Sequence, residues 1–318
     1  MVAVDGKTCD FRRWRWETML WLMNKWSTIA LCAYQVGCKT PELKECDTGC
    51  EPGDSGIVDD GPWDPLVLGN RGSGVTEDGN PYAENTVRSI QQAIAAGADG
   101  VEVDVHQTSD GVLVLLEDEL LDGNTTCTGC VVSMSYAELS TCEALSFGGQ
   151  SEVIPTLQQA MEAFADSYFS IEIRSPDSCV GGFASSAEYV RASAQSVIDV
   201  VAITDARARV QVSSFDRAAI RTIEDVQPNL QTALIWTTGD VADYIGDANW
   251  AGADVLTGHG LVAEDSVALA VSDANLTMWL WGIQLASDVT RVAGWEPGAL
   301  ITNHPEVVRQ TLTDMGVD

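Results

Sequence analysis

Positive charge is scarce in this chain. Seventeen Lys and Arg residues face 47 Asp and Glu, for a net charge of −30. No lysine follows Lys44, so arginine supplies every formal side-chain cation of the remainder. Such a surface repels polyanions, which excludes nucleic acid and anionic membrane surfaces as partners. Histidine is scarcer still: His106, His259 and His304 are all there are. No G-x-G-x-x-G occurs, so nothing supports a dinucleotide-binding open sheet. Apolar runs are short. Trp26–Val36 extends for only eleven residues, too few to span a bilayer as a helix.

That short run reads as address information. Counted from Met23, Lys25 is a positive n-region, Trp26–Val36 an apolar h-region, and Gly37-Cys38 a cleavage point. The pattern resembles a bacterial lipoprotein signal with Cys38 as the lipidated residue, although Gln35 stands where such signals usually carry leucine. Arg12-Arg13 offers a twin-arginine alternative, and a buried N-terminal helix is the purely structural one. The expectation is export to a bacterial cell envelope, as a lipoprotein or as a periplasmic or extracellular protein, with membrane contact only through the lipid. Residues 1–37 are then a targeting segment, with Met1–Leu22 a misplaced extension, and residues 38–64 a flexible acidic tether. Cysteine usage agrees. Beyond Cys38 there are six: Cys46, Cys50, Cys127, Cys130, Cys142 and Cys179. An even number in an exported domain implies disulfides. Cys46 with Cys50, and the group Cys127, Cys130 and Cys142, lie close enough to pair locally. A zinc site at Cys127-Thr-Gly-Cys130 is the alternative, but no histidine lies nearby.

From Pro65 onward, short apolar runs alternate with helical patterns. Strands are expected at Leu66–Gly69, Val101–His106, Phe169–Ile173, Arg209–Ser213, Gln231–Ile235, Asp254–Leu256, Leu276–Trp281 and Ala299–Thr302. Helices are expected between them, among others at Glu84–Ala96, Ser185–Ile203, Arg217–Val226, Ser266–Ser272 and Pro305–Asp314. Eight such alternations make an α/β protein with a (β/α)₈ TIM barrel over residues 65–318; a doubly wound open sheet is the runner-up. Leu120–Ile154, rich in Cys, Thr, Gly and Ser, breaks the alternation and reads as an insertion after the second strand.

The second strand holds the chemistry. Val101, Val103 and Val105 alternate with Glu102, Asp104 and His106, so the three polar side chains share one face. Adjacent carboxylates repel unless a positive charge sits between them, and hard oxygen ligands suit calcium or magnesium. Ser109-Asp110-Gly111 turns the chain, and Val112–Leu116 returns as a strand that delivers Glu117 and Asp118. In a barrel, chemistry collects at the C-terminal strand ends. Those ends carry Asn70-Arg71-Gly72, Glu102 with Asp104, Glu172 followed by Arg174, and Ser213-Ser214-Phe215-Asp216. Three carboxylates could cage a cation, and Arg71 and Arg174 could hold an anion beside it.

These landmarks in this order resemble the glycerophosphodiester phosphodiesterase family. That family shows H-R-G after its first strand, an E-N-T helix start, an A-G-A-D-x-x-E-x-D strand, a T-x-D-G turn, and H-D after the returning strand. Here stand Asn70-Arg71-Gly72, Glu84-Asn85-Thr86, Ala96–Asp104, Thr108–Gly111 and Glu117-Asp118. Ile154–Leu157, Ile171–Arg174, Ser213–Asp216 and Ile301–Pro305 are similar to later family segments. The resemblance implies a TIM barrel, a divalent cation on Glu102, Asp104 and Glu172, Arg71 at the phosphate, Glu84 in the catalytic set as the E-N-T glutamate, and hydrolysis of a small phosphodiester. Arg174 and Trp281 are further candidates for substrate contact.

The departure concerns proton transfer. The two family histidines correspond to Asn70 and Glu117. Asparagine cannot exchange a proton near neutrality, and a glutamate that titrates near 4 is a poor acid unless buried. Each such group ordinarily contributes about 10²–10⁴ in rate. Two readings follow: a phosphodiesterase with a rearranged acid/base pair, or a catalytically silent barrel that holds a cation or a phosphorylated ligand. Of the remaining histidines, His259 at the sixth strand end is a candidate substitute, His106 a structural residue and His304 a helix-start residue. Trp279 and Trp281 are expected to pack the seventh strand, with one free to line the pocket.

Overall fold

A computed structural model describes residues 2–4, 7–9, 63–76, 80–147 and 151–317. The run Trp26–Val36, Arg12-Arg13, Cys38, Cys46, Cys50 and all of the expected tether except Trp63 and Asp64 lie outside the described residues. In the unit Met1–Asp59, Val2–Val4 pairs antiparallel with Lys7–Cys9. The unit Asp60–Asp318 carries the barrel.

Eight parallel strands form it: β1 (Leu66–Asn70), β2 (Gly100–Gln107), β3 (Tyr168–Ile173), β4 (Val210–Ser214), β5 (Gln231–Trp236), β6 (Val255–His259), β7 (Thr277–Trp281) and β8 (Ala299–Thr302). Each pairs with the next, and β1 pairs with both β8 and β2, so the sheet closes. The helices are α1 (Val87–Ala95), α2 (Leu157–Ala163), α3 (Ser186–Ile203), α4 (Arg217–Val226), α5 (Val241–Ala251), α6 (Asp265–Asp273), α7 (Ala286–Val292) and α8 (Pro305–Asp314). This is the expected (β/α)₈ TIM barrel.

The period of two sorts side chains between two cores. Val101, Val103, Val105, Phe169, Ile171 and Val212 face outward and pack under helix residues such as Ile90, Ala93 and Val197. Leu68, Ala233, Val255, Trp279 and Ala299 fill the barrel interior. Above that apolar plug the inward positions turn polar: Asn70, Glu102, Asp104, Glu172, Ser213 and Thr257 line a cavity at the C-terminal strand ends. Between them, Ser170 donates to the buried Gln211 side chain.

Two boundaries differ from the sequence reading by three residues, for physical reasons. Helix α1 starts three residues after Glu84, because Asn85 is left-handed (φ 58°) and Thr86 is the N-cap, its side chain accepting from the Ser89 N–H. Strand β6 runs three residues past Leu256 through Thr-Gly-His, although that sequence has little strand propensity. Its neighbours enforce it: Gly258 pairs with Trp236 and Leu280, and a Cβ there would lie 2.8 Å from the Trp236 ring.

The returning strand Leu113–Leu115 pairs antiparallel with β2, outside the barrel. The insertion that follows has its own small core, including Val114, Leu121, Val131, Leu139 and Ile154. It contains the strands Glu143–Leu145 and Ser151–Val153. Cys127 pairs with Cys142, within the group expected to bond locally, so a zinc site there is overturned. Cys130 pairs with Cys179, 49 residues away, and ties the insertion to the loop after β3. The Glu119 carboxylate reinforces this tie by accepting from the N–H groups of Ser178 and Cys179.

Candidate active site

Strand β1 ends in a tight reversal. Arg71 sits at φ 51° and Gly72 at φ 90°, and a Cβ on Gly69 would lie 2.1 Å from the Gly72 carbonyl oxygen. A left-handed non-glycine residue costs roughly 1 kcal/mol or more and persists only where its surroundings hold it. Here the Arg71 carbonyl accepts from the Asn85 N–H (2.9 Å) and the Ser89 hydroxyl (3.1 Å), and the Arg71 N–H donates to Glu102 Oε2 (3.1 Å). The reversal aims the Arg71 guanidinium across the mouth. It reaches Glu84 at 3.0 Å, Asp104 at 3.3 Å and Glu117 at 2.9 Å.

Strands β2 and β3 bring Glu102, Asp104 and Glu172 together. All three are buried, and one carboxylate oxygen of each lies within 4.8 Å of the others. Calcium–oxygen bonds of about 2.3–2.6 Å allow one ion to span such a group. Asn85 orients Asp104 from both sides: its amide donates to Oδ2 at 3.0 Å, and its oxygen accepts the Asp104 N–H at 3.1 Å. Arg174 pairs with Glu172, and its Nη2 lies 3.1 Å from Glu117 Oε1. Glu117 Oε1 therefore bridges both guanidiniums. Its Oε2 is buried without a hydrogen-bond partner among the described residues.

Two guanidiniums face five carboxylates here, Glu84, Glu102, Asp104, Glu117 and Glu172. Burial first, then the Asp104 charge, pushes the Glu117 carboxyl up to about 9 despite Arg71 and Arg174. The same two causes push Glu172 up to about 7, against the pull of Arg174. Burial, with Asp104 and Glu172 beside it, raises Glu102 well above the carboxylate range. Burial alone would lower Arg71, but Asp104, Glu117 and Glu84 together outweigh it and hold the guanidinium charged. The cluster thus has an excess of negative charge that desolvation makes costly. A divalent cation suits it.

The expected site residues fall into place as follows. Asn70, Arg71, Glu102, Asp104, Glu117, Glu172, Arg174, His259 and Trp281 all line one cavity of about 490 Å³. Glu84 lies beside it in an adjoining cavity that also touches Arg71 and Glu117. The Asn70 amide donates to Asn303 Oδ1 at 2.9 Å. His106 is buried between the Tyr189 hydroxyl and the Glu117 carbonyl, each at 3.2 Å, and burial lowers its pKa. It therefore anchors the backbone of Glu117. His259 Nδ1 accepts from the Leu261 N–H at 3.0 Å, and its ring meets Trp281 edge-on at 4.2 Å. An accepting Nδ1 holds the proton on Nε2 and leaves His259 a neutral donor. His304 is exposed at the start of α8, and its side chain makes no capping bond. Trp279 fills the barrel floor against Tyr168, whereas Trp281 faces the cavity.

Sequence reasoning passed over three contributors. Asn85 was noted only as part of a motif, Asn303 only as part of a segment, and Gln284, whose oxygen accepts the Asn303 N–H at 3.0 Å, not at all. The Glu84-Asn85-Thr86 triplet was the available signal for Asn85, since a residue that must turn left-handed before a helix is commonly asparagine.

Residues 74–307 match the model of the glycerophosphoryl diester phosphodiesterase family. A glycerophosphodiester phosphodiesterase from Caldanaerobacter subterraneus subsp. tengcongensis is 31% identical over 179 residues, which make up 55% of this chain and 68% of that protein. Another from Bacillus subtilis is 23% identical over 240 residues, 70% of this chain and 80% of that protein. Among solved structures, a phosphodiesterase from Oleispira antarctica in complex with the product sn-glycerol-3-phosphate superposes with a TM-score of 0.66 at 21% identity, over 78% of this chain and 97% of that one. At that identity the likeness speaks to the fold alone.

Proposed function

Because the chain belongs to the glycerophosphoryl diester phosphodiesterase family, we propose that it binds a divalent cation and a small phosphodiester at the barrel mouth, and hydrolyses that diester slowly. The observation that carries this reading is the convergence of Glu102, Asp104 and Glu172, buried and within 4.8 Å of one another. Glu102, Asp104 and Glu172 would hold the ion, calcium or magnesium by the hardness of the ligands. The bound ion would supply Lewis-acid stabilisation of charge on the phosphoryl oxygens. The similarity to glycerophosphodiester phosphodiesterases supports glycerophosphodiesters as the substrate class. Arg71 and Arg174 are the anion partners of this reading, and Trp281 a wall for the rest of the substrate. Asn70 can donate a hydrogen bond to phosphate but cannot move a proton. Glu117 can carry a proton, and its burial favours the protonated form. With one proton-transfer group where the family has two, turnover is low.

A second reading has its own observation. Glu117 Oε1 lies 2.9 Å from Arg71 and 3.1 Å from Arg174, so a carboxylate of the chain itself occupies the place between the two guanidiniums. On that reading the barrel is catalytically silent and holds a cation or a phosphorylated ligand without turning it over. The proposed lipid anchor at Cys38 would place either activity at the cell envelope.

The test is turnover of several glycerophosphodiesters by the full chain, with and without calcium or magnesium. Metal-dependent release of glycerol phosphate at well under the ~10 s⁻¹ typical of enzymes supports the first reading. Cation binding with no turnover supports the second. No cation binding removes both.

A further inference from the structure

Tyr189 sits at the N-terminal end of α3, is fully buried, and does not line the cavity at the barrel mouth. Packing asks only for its ring, which meets Phe183 edge-on at 5.4 Å. A buried hydroxyl is costly unless it is bonded, so its partners carry information. The Gln107 N–H, at the end of β2, donates to the Tyr189 hydroxyl oxygen at 2.7 Å. His106 Nδ1 lies 3.2 Å from the same oxygen, and His106 Nε2 lies 3.2 Å from the Glu117 carbonyl oxygen.

The directions of these bonds follow from the groups themselves. A peptide N–H can only donate, so the Tyr189 oxygen accepts from Gln107. Burial pushes the Tyr189 phenol up to about 12, so it keeps its own proton. That proton is donated to His106 Nδ1. An accepting Nδ1 places the imidazole proton on Nε2, and Nε2 donates to the Glu117 carbonyl. The relay therefore runs one way, from a strand N–H through a helix hydroxyl and an imidazole to the peptide of Glu117.

Both sides of the anion position meet this helix. The Glu117 carboxylate lies 2.9 Å from Arg71 and 3.1 Å from Arg174. Arg174 begins the segment between β3 and α3, and that segment packs back on Tyr189 through Phe183. Cys179 of the same segment shares the outer core with Tyr189 and is bonded to Cys130 of the insertion. We propose that Tyr189 is a positioning residue for the site: acting through His106, it holds Glu117 between Arg71 and Arg174. This deepens the proposed function, and it rests on that reading in taking Glu117 as the group that meets the diester.

The experiment uses the full chain saturated with magnesium, isotope-labelled at the nitrogens of histidine and aspartate. In the unmodified protein, nitrogen NMR should show His106 with a protonated Nε2 and a bare Nδ1. Tyr189→Phe keeps the ring and removes the hydroxyl. It should shift the Nδ1 signal and, with it, the Asp118 amide nitrogen, whose peptide bond contains the Glu117 carbonyl. A proton on Nδ1 in the unmodified protein, or an Asp118 signal that does not move, overturns the inference and leaves the proposed function standing. Turnover of glycerophosphocholine then separates positioning from packing. Tyr189→Phe should lower kcat about 10- to 100-fold with KM changed less than about threefold, because misplacing a reacting group by ~1 Å costs on that order. In a Glu117→Gln background the same change should cost less than about twofold, because residues that act through one another are not additive. An equal loss in both backgrounds, or a loss in KM alone, overturns the inference. His106→Gln, whose amide can reach the same carbonyl, should keep more of kcat than His106→Leu; an equal loss also overturns it. If the unmodified protein turns over no diester, the hydrolysis in the proposed function fails, and the two NMR signals still decide whether Tyr189 holds Glu117.

Discussion

Replacing Glu117 with glutamine isolates what this residue does to an incoming phosphate. Glu117 Oε1 is 2.9 Å from one Arg71 nitrogen and 3.1 Å from one Arg174 nitrogen. Glutamine keeps the size and one acceptor oxygen but removes the charge. The guanidiniums do not lose their remaining partners, since Arg71 keeps Glu84 and Asp104 and Arg174 keeps Glu172. A phosphodiester bound between them carries one negative charge. Like charges about 4 Å apart repel by about 4 kcal/mol at an effective dielectric of about 20. At about 1.4 kcal/mol per decade that is a factor of up to ~10³ in affinity. Partial protonation of Glu117 reduces the gain, because burial already pushes its carboxyl up to about 9. With only roughly one tenth of Glu117 ionised at pH 8, glycerol phosphate is expected to bind the magnesium-loaded variant no more than about twofold tighter there, read by calorimetry. At pH 10 the advantage over the unmodified protein should widen, because there Glu117 is ionised. Affinity that is unchanged within threefold at both pH values, or weaker in the variant, would refute the electrostatic reasoning.

Other outcomes follow from the same cluster. Asp104→Asn should weaken calcium or magnesium binding by at least about 10²-fold in titration calorimetry, since an anionic ligand held by Asn85 becomes neutral; retained affinity would place the ion elsewhere. Asn70→His combined with Glu117→His should raise metal-dependent hydrolysis by several orders of magnitude, as each restored group is worth about 10²–10⁴; no gain would mean that proton transfer does not limit turnover. Without divalent cations, stability should fall as pH rises. Glu172 and Glu117 titrate at about 7 and about 9 when folded, above the ~4.3 of an unfolded glutamate, so the folded state binds more protons across that window. Melting temperatures in chelator should then decrease from pH 5 to pH 9, and saturating calcium should remove most of that decrease.

The barrel was legible in the sequence because its strands are short apolar runs whose alternation sorts side chains by face. Val101, Val103 and Val105 pack outward while Glu102 and Asp104 point in, which is the period of two read directly. The acidic triad could be anticipated for the same reason, since its members are strand residues and a strand's face is set locally. The rest depends on how distant segments meet. The Glu117 bridge depends on where an antiparallel return carries a loop. That in turn depends on His106 holding the Glu117 carbonyl at 3.2 Å and on the Cys130–Cys179 bond across 49 residues. Neither spacing nor composition encodes such meetings. Asn85 was hidden differently: a left-handed residue that donates to the Asp104 carboxylate and accepts the Asp104 N–H looks, in sequence, like the start of a helix.

Charge balance connects these features. If every group is ionised, Arg71 and Arg174 leave three of the five carboxylates uncompensated. The protein alone can relieve that excess only by taking up protons, which is what the raised Glu102, Glu117 and Glu172 express. A divalent cation relieves two of the three charges and releases those protons. What remains is one negative charge, and Glu117 is the residue that supplies it at the anion position. On the proposed function, a diester would compete here with a carboxylate held between two arginines. On the proposed function, Glu117 would both remove one histidine of the family's proton-transfer pair and oppose the phosphate, whereas Asn70 removes the other histidine independently.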